Sequence, residues 1–205
     1  METVSYSTIP GLRHLEEFLT AAEHNALLSA VDAQPWSDGM RRRVQHFGYH
    51  YDYKRRSVDR TLALGPLPDW AGGLATRLAQ EDLMPARPDQ LIVNEYTPGQ
   101  GIASHVDCEP CFGEVICSLS LGSACVMVLT HTADGRREQV LLRPRSLLVL
   151  SGEARHAWRH GIPARLSDKV EGKILPRSRR VSLTFRTVNC GVPRFMYQMQ
   201  SERFA

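Results

Sequence analysis

The second half of the sequence, from residue 91 onward, consists of short apolar segments separated by residues that favour turns. Glycine, proline or an Asp-Gly pair lies between one segment and the next, and each segment has the length of a single strand. Many short strands at this spacing are typical of a sandwich or jelly roll. The sequence therefore predicts a mainly β fold, with strands at residues 91–96, 115–121, 124–129, 138–142, 147–150, 155–158 and 181–188.

Two segments with helical periodicity precede these strands. Residues 12–31 place apolar side chains near a period of 3.6, which predicts an amphipathic helix. A second helix is predicted from Trp70 to about Asp82, with Asp69 as its N-cap. We expect both helices to flank one sheet as part of an N-terminal α/β extension. Residues 164–178 are polar and charged, and we predict a mobile loop there.

Length and composition indicate one domain. The chain of 205 residues fits a single unit, which we divide into an extension (1–88), a jelly-roll core (89–190) and a tail (191–205). No apolar run approaches the roughly 18–20 residues of a membrane span, and no secretory signal is evident. Five cysteines, an odd number, argue against a secreted disulfide framework. We therefore expect a monomeric cytoplasmic protein without a membrane partner.

Basic residues occur in three local clusters. The net charge is only +3, but residues 41–43, 54–56 and 177–180 are each rich in arginine or lysine. One cluster alone is typical of a solvated loop. Three clusters in one small domain favour a polyanionic partner such as nucleic acid.

Three tyrosines alternate between the first two basic clusters. Tyr49, Tyr51 and Tyr53 share one parity, which fits an edge strand with its rings packed on one side. The same pattern fits a nucleotide-binding surface, where cations contact phosphates and rings stack on unpaired bases. The sequence alone leaves both interpretations open.

A His-x-Asp pair follows the first predicted strand of the core. His105 and Asp107 lie after the turn at 98–101, and residues two apart in an extended segment point to the same side. They supply two of the three protein ligands of a non-haem Fe(II) site, which uses two histidines and one carboxylate. His160 is the natural third ligand, and His156 is its competitor on the same predicted strand face. Spacing alone does not decide between the two.

Two arginines lie six residues apart on the last predicted strand. Arg180 and Arg186 have the same parity, so both can face one interior. Buried arginines are rare unless they are paired, and a guanidinium fork suits a carboxylate. They are either structural partners of acidic residues or part of a dicarboxylate site beside the metal.

Cys108 and Cys111 form a C-x-x-C pair directly after the His-x-Asp motif. This spacing permits a zinc site or a redox pair. Only Cys190 offers a distant third ligand, and its neighbours supply no fourth.

Four ordered blocks together resemble the AlkB-type Fe(II)/2-oxoglutarate dioxygenases. They are NEYTPGQGIASHVD at 94–107, SLSLG at 118–122, RHAWRHGIP at 155–163 and RVSLTFR at 180–186. The amino-acid sequence is most similar to that of the tRNA-modifying branch of the family. The resemblance implies a double-stranded β-helix, with Fe(II), 2-oxoglutarate and O2 as cofactor, cosubstrate and oxidant.

The resemblance also implies a role for individual residues. The third iron ligand of the family precedes Gly-Ile, which selects His160 over His156. Glu109 falls where the family has an acidic residue that helps to hold the substrate base. The remaining implied assignments are His105, Asp107 and His160 for Fe(II), Asn94, Tyr96, Arg180 and Arg186 for 2-oxoglutarate, and Tyr49, Tyr51, Tyr53 and Arg43 for the substrate. The resemblance further implies that the extension at 1–88 contains a nucleotide-recognition lid, to which Tyr49 and its neighbours would belong.

The function implied by the resemblance is oxidative dealkylation of alkylated or etheno-modified bases in damaged DNA or RNA. Alternatives are hydroxylation of a modified tRNA base, oxidation of a protein or small molecule, and a binding protein without catalysis. The complete set of implied iron and cosubstrate ligands speaks against the last alternative.

Overall fold

The computed structural model of the protein describes residues 4–6, 8–39 and 41–189. The predicted tail at 191–205, together with Cys190, lies outside these residues. The helices are α1 (Ala21–Asp32), α2 (Asp69–Gln80) and the short α3 (Gly152–His156). The strands are β1 (Val4–Tyr6), β2 (Leu12–Leu15), β3 (Val44–Phe47), β4 (Gln90–Tyr96), β5 (Ile102–His105), β6 (Ile116–Gly122), β7 (Cys125–His131), β8 (Arg137–Leu142), β9 (Leu147–Leu150), β10 (Trp158–Ile162), β11 (Ser167–Val170), β12 (Lys173–Pro176) and β13 (Arg180–Arg186).

Two antiparallel sheets form the body of the protein. The large sheet has the order β1-β2-β9-β6-β13-β4-β3, and the small sheet has the order β5-β10-β7-β8. Ile116 and Leu148 of the large sheet share one core with Met127 of the small sheet. On its other face the large sheet packs against the helices, where Leu183 and Leu78 belong to one cluster. The predicted mainly β fold with flanking helices is confirmed.

Strand β13 lies in the middle of the large sheet and positions the site. It pairs with β4 on one side and with β6 on the other, so that Arg180 lies opposite Tyr96 and Ser182 opposite Asn94. Side chains alternate along a strand. Val181 and Leu183 therefore face the helices, while Arg180 and its neighbours of the same parity face the space between the sheets.

The predicted first helix begins too early. Residues 12–15 form β2, which pairs with β9, and α1 begins only at Ala21. The Thr20 side chain accepts from the Glu23 backbone, and the Glu23 carboxylate accepts from Thr20, so a capping box begins the helix there. The second predicted helix is close to α2, although Pro68 rather than Asp69 is its N-cap.

The predicted strand at 155–158 is wrong. The chain forms α3 over these residues, and β10 begins at Trp158. His156 therefore does not share a strand face with His160. The predicted mobile loop at 164–178 is also wrong, because β11 and β12 form a hairpin there, secured where Arg177 donates to the buried carboxylate of Asp168 at 2.6 and 2.8 Å.

In the described part of the chain, no helix is long and apolar enough to cross a membrane. The division at residues 88 and 190 stays a prediction, but β1, β2 and β3 of the N-terminal segment join the large sheet of the core.

Glu95 joins three parts of the chain through its buried carboxylate. It accepts from Arg43 of the segment before β3 at 2.6 and 2.8 Å, and from Arg179 before β13 at 2.6 Å. Hydrogen bonds from Arg43 and then from Arg179 lower the pKa of Glu95 below its ordinary value of 4.5. A depressed folded-state pKa means that the ion pairs stabilise the fold above the unfolded-state pKa and lose their effect as the pH falls through the folded-state value.

We expect Glu95→Gln to lower the free energy of unfolding by about 1.5–3 kcal/mol at neutral pH, the range for hydrogen bonds to charged groups. The difference from the wild type should begin to shrink below about pH 4.5, where the carboxylate of the unfolded state takes up a proton, and should disappear below the lowered pKa of the folded state. Denaturant unfolding of both proteins at several pH values measures the difference in their free energies of unfolding. Contributions from the other carboxylates are the same in both proteins and cancel in this difference. A difference independent of pH would contradict the proposed ionic contribution.

Candidate metal and cosubstrate site

The structure brings His105, Asp107 and His160 together. His105 ends β5, Asp107 follows two residues later, and His160 lies opposite His105 on the neighbouring strand β10. One ligand atom from each residue lies within 4.8 Å of the others, and His105 Nε2 is 3.7 Å from Asp107 Oδ1. Two imidazoles and one carboxylate in this arrangement can form the protein face of a non-haem Fe(II) site.

Close packing of β5 against β10 brings the three ligands together. A Cβ atom at Gly161 would lie 2.9 Å from Ser104 Cα, and one at Gly101 would lie 2.1 Å from the carbonyl oxygen of Ile162. Only glycine permits this approach. The close approach of β5 therefore explains why the residue after His160 is a glycine.

The protonation of the three residues suits a divalent cation. Burial raises the pKa of Asp107, but the Arg186 guanidinium and the His105 contact outweigh it, so the pKa lies well below its ordinary value. Burial lowers the pKa of His160 to about 4, which leaves the ring neutral and able to donate a lone pair. His105 Nδ1 lies 2.8 Å from the Ala103 carbonyl oxygen, which fits a proton on Nδ1 and a lone pair on Nε2.

His156 lies outside this group. Its Nδ1 is 3.1 Å from a Glu109 carboxylate oxygen, and its Nε2 is 3.0 Å from one of Glu114. Both ring nitrogens are therefore engaged by carboxylates. Glu109 is exposed at this position, and its role in holding a substrate base stays a prediction.

Asn94, Tyr96 and Arg180 line the same cavity as the three candidate ligands. Arg180 is only 3% exposed, and its Nη2 donates to Ser120 Oγ at 2.9 Å. Its Nε and Nη1 are buried and find no hydrogen-bond partner among the described residues. An unsatisfied buried guanidinium edge is costly unless a ligand completes it. A carboxylate of 2-oxoglutarate has the charge and the two acceptor oxygens that fit.

Arg186 is held differently from Arg180. Its Nη2 lies 3.2 and 3.3 Å from the two Asp107 carboxylate oxygens, and its guanidinium lies over the ring of Phe112 at 4.8 Å. This cation orients the metal-side carboxylate. A contact of Arg186 with the cosubstrate stays a prediction.

The sequence alone does not single out two residues near the site, the buried Arg155 and the partly buried His46. Arg155 donates from Nη1 to the Asp107 carbonyl oxygen at 3.1 Å, and it was assigned to a strand that does not exist. His46 has a buried Nε2 without a partner among the described residues, and burial followed by His50 lowers its pKa to about 4. No partner lies at a useful spacing from His46 in the sequence, so its environment could not be predicted.

The tyrosine segment does not form the continuous edge strand that its alternation suggests. Strand β3 ends at Phe47, and beyond it only isolated bridges occur, such as Tyr49 with Ala63. The rings of Tyr51 and Tyr53 meet edge to face at 5.0 Å, and Tyr53 is 37% exposed. The substrate-binding roles of the three tyrosines stay predictions.

The three basic clusters are not equivalent. Arg43, a predicted substrate contact, is bonded to Glu95, and its own substrate role stays a prediction. In the third cluster Arg177 forms an ion pair with Asp168. Arg179 forms ion pairs with Asp32 and Glu95. Arg180 is buried and faces the interior. Residues 177–180 therefore do not form a common cationic surface. Residues 54–56 are exposed.

Cys108 and Cys111 are joined by a disulfide, so the C-x-x-C pair is redox-capable rather than a set of zinc ligands. Within the described ranges, the His105, Asp107 and His160 group is the one cluster of His, Cys, Asp and Glu side chains with metal-binding spacing.

Comparison with known proteins identifies the family. Residues 11–186 match the 2OG-Fe(II) oxygenase superfamily. The chain is 39% identical to the alkylated DNA repair protein ALKBH8 homolog of Arabidopsis thaliana, over 94% of this chain and 64% of that protein. It is 37% identical to the tRNA (carboxymethyluridine(34)-5-O)-methyltransferase ALKBH8 of Macaca fascicularis, over 90% of this chain and 32% of that protein. The chain thus spans less than two thirds of the length of these curated relatives.

Comparison with a solved structure supports the predicted fold. The solved structure of OsALKBH1 has a TM-score of 0.70 and 21% identity, and the match covers 90% of this chain and 100% of that one. The predicted double-stranded β-helix is confirmed. The chain therefore belongs to the 2OG-Fe(II) oxygenase superfamily, as an AlkB-type dioxygenase whose cofactors are Fe(II), 2-oxoglutarate and O2.

Proposed function

We propose that this dioxygenase oxidises a carbon of a modified base in nucleic acid. One observation carries the proposal: the His105, Asp107 and His160 group and the unsatisfied edge of Arg180 line a single cavity. When bound there, Fe(II) with 2-oxoglutarate and O2 supplies the oxidant for a C–H bond, and the cosubstrate becomes succinate and CO2.

The side chains of the cavity orient and protect these groups. Arg186 and Arg155 hold Asp107 from two sides, through its carboxylate and through its carbonyl oxygen. Asn94 accepts from Arg42 Nε at 2.8 Å, which fixes the amide beside the proposed cosubstrate position. Apolar residues such as Met127 and Leu148 line the remaining wall and exclude water.

The substrate base must leave its stack to reach this cavity, which costs a few kcal/mol and costs least for a damaged or unpaired base. Tyr53 and the cations at 54–56 belong to one exposed segment. This segment lies near the cavity, because its Tyr51 contacts Phe112, and Phe112 packs on Arg186. Stacking on such rings is worth about 1–3 kcal/mol per base. This segment is the proposed lid.

Two substrate classes fit the same oxidant. Oxidation of an N-alkyl carbon leads to dealkylation of an alkylated or etheno-modified base, and oxidation of a stable side-chain carbon leads to a hydroxylated base. Similarity to a relative named for a tRNA uridine modification favours the second class over DNA repair. The methyl transfer in that name is not chemistry of a His-Asp-His site, and this chain spans 32% of that protein.

We expect tRNA bearing a modified wobble uridine to stimulate succinate formation by the wild-type protein. The protein is reconstituted anaerobically with Fe(II) and then given air and 2-oxoglutarate, with N-methylated DNA, etheno-modified DNA or the tRNA. An unmodified transcript of the same tRNA and the Asp107→Asn variant are the controls. Mass spectrometry distinguishes an added oxygen from a lost alkyl group.

Stimulation by the alkylated DNA alone would make dealkylation the function. Succinate formation that no nucleic acid stimulates would contradict the nucleic-acid proposal and favour a protein or small-molecule substrate.

A further inference from the structure

A groove runs over the outer face of the small sheet, beside the cavity of the three candidate ligands. On β7, Met127 and Leu129 point into the core between the sheets, so Val128 and Thr130 point outward. These two outward residues line the groove together with Arg41, Arg42, Gln100 and Arg137. We call this the cationic groove.

The charges in the cationic groove are uncompensated. Arg41, Arg42 and Arg137 line it, and none of its lining residues in the described chain is acidic or aromatic. Arg41 and Arg137 form no ion pair with any residue that the structure describes. Elsewhere many arginines are paired with carboxylates, as Arg177 is with Asp168. Arg41 and Arg137 therefore keep their full charge in a groove that offers them no carboxylate.

Cross-strand register extends this row of cations. Thr130 lies opposite Arg137 on one side and opposite Arg159 on the other. Arg159 points outward because its neighbour Trp158 is buried in the core between the sheets, and Arg159 is exposed. The two guanidinium groups lie on β10 and β8, on either side of β7, about 9–10 Å apart at the strand backbones, and neither forms an ion pair with a described residue. Such an arrangement suits an external polyanion.

The cationic groove adjoins the cavity at the edge formed by β5 and β10. Ile102 and Ile162 line both. Arg42 lines the groove and donates to Asn94, which lines the cavity. Gln100 donates to the Arg41 carbonyl oxygen at 2.8 Å and accepts from the Thr97 backbone at 2.9 Å, so the wall carrying Arg41 is fixed to the turn before β5. A strand that delivers a base to the cavity can therefore continue along the groove.

We propose that the cationic groove binds the sugar–phosphate backbone of the nucleic-acid strand next to the oxidised base. This inference rests on the proposed function and names the surface that the substrate uses. Guanidinium groups bind phosphate oxygens bidentately, and such contacts position a strand without reading its sequence. Because no aromatic side chain lines the groove, it holds the backbone and not stacked bases, and its contribution is independent of sequence.

The test compares an Arg137→Ala/Arg159→Ala variant with an Arg13→Ala/Arg87→Ala variant. The second pair removes the same charge from exposed positions on the helix side of the large sheet, where Arg13 contacts Asp82 after α2 and Arg87 contacts Thr76 within it. Binding of a labelled, unmodified single-stranded oligonucleotide is measured by anisotropy over a range of salt concentrations. This measurement does not depend on catalysis.

We expect the slope of log affinity against log salt to become shallower by about 1.4 in the groove variant, or about 0.7 for each lost phosphate contact. It should be unchanged in the helix-side control. Arg137→Lys/Arg159→Lys should keep the wild-type slope, because the charge is retained. A shallow slope with lysine would overturn the phosphate assignment.

Equal slopes and affinities for the groove variant and the wild type would overturn only the proposal that the groove binds the sugar–phosphate backbone. Nucleic acid would remain the proposed substrate. Failure of the wild type to bind any oligonucleotide would overturn the proposed function as well.

Discussion

A His160→Ala variant is expected to lose its iron and to form succinate more than about 100-fold more slowly than the wild type. Removal of outer partners of metal ligands already costs roughly 10–100-fold, and loss of a ligand should exceed this. His160 faces His105 across β5 and β10, and its neutral ring is one of the two imidazoles of the group. Iron content after reconstitution and succinate formation are the two measurements.

His156→Ala is the matched control. The same residue type is removed four positions away, but its ring nitrogens contact Glu109 and Glu114 and not the metal group. We expect this variant to retain the iron of the wild type. If His156→Ala lost iron while His160→Ala kept it, the assignment of the third ligand would be wrong.

The strands of the core could be predicted because they are buried on both faces or nearly so. Every residue of β9 is buried, and its sequence LLVL is a continuous apolar run. Strand β13 is also buried throughout, but RVSLTFR alternates polar and apolar side chains, which is the period of a strand with two different faces. The helix predicted at 12–31 is misplaced because apolar residues of β2, of the segment 16–20 and of α1 together fall near one period of 3.6. Only the Thr20 and Glu23 pair marks where α1 begins.

The strand predicted at 155–158 failed because α3 is shorter than two turns. Its five residues include Arg155 and His156 and carry no helical period that could be read from the sequence. The error placed two histidines on one face. The resemblance to the AlkB-type family selected His160, whereas spacing alone did not.

The residues that belong to the site could be predicted from the sequence, but the contacts between them could not. Parity correctly placed Arg180 and Arg186 on one interior face. It could not show that Arg186 would be held by Asp107 while Arg180 kept two unsatisfied nitrogens, since that depends on strands 60–80 residues away in the chain. The contact of Arg155 with the Asp107 carbonyl oxygen is equally non-local.

An Arg180→Met variant is expected to bind 2-oxoglutarate about 30-fold to several thousand-fold more weakly. Truncating one partner of a buried charge pair costs about 2–5 kcal/mol. Methionine is unbranched and apolar, so it removes the guanidinium without adding a competing charge. Titration of the Fe(II)-loaded protein with 2-oxoglutarate measures the change in dissociation constant, and succinate formation measures the change in KM.

Arg186→Met separates the two arginines. Arg186 contacts both carboxylate oxygens of Asp107, so its loss should weaken iron binding before it affects 2-oxoglutarate. In Arg180→Met, by contrast, the iron stoichiometry should remain that of the wild type, because Arg180 contacts Ser120 and not a metal-side residue.

The ligand-free stability of Arg180→Met tests the same idea independently. A buried cation that forms no ion pair with the described residues destabilises the empty protein, because its desolvation is not offset. We therefore expect the variant without 2-oxoglutarate to unfold at the same temperature as the wild type or at a higher one. Added 2-oxoglutarate should raise the unfolding temperature of the wild type only, since a ligand stabilises the form that binds it. Equal stabilisation of both proteins by 2-oxoglutarate would remove Arg180 from the cosubstrate site.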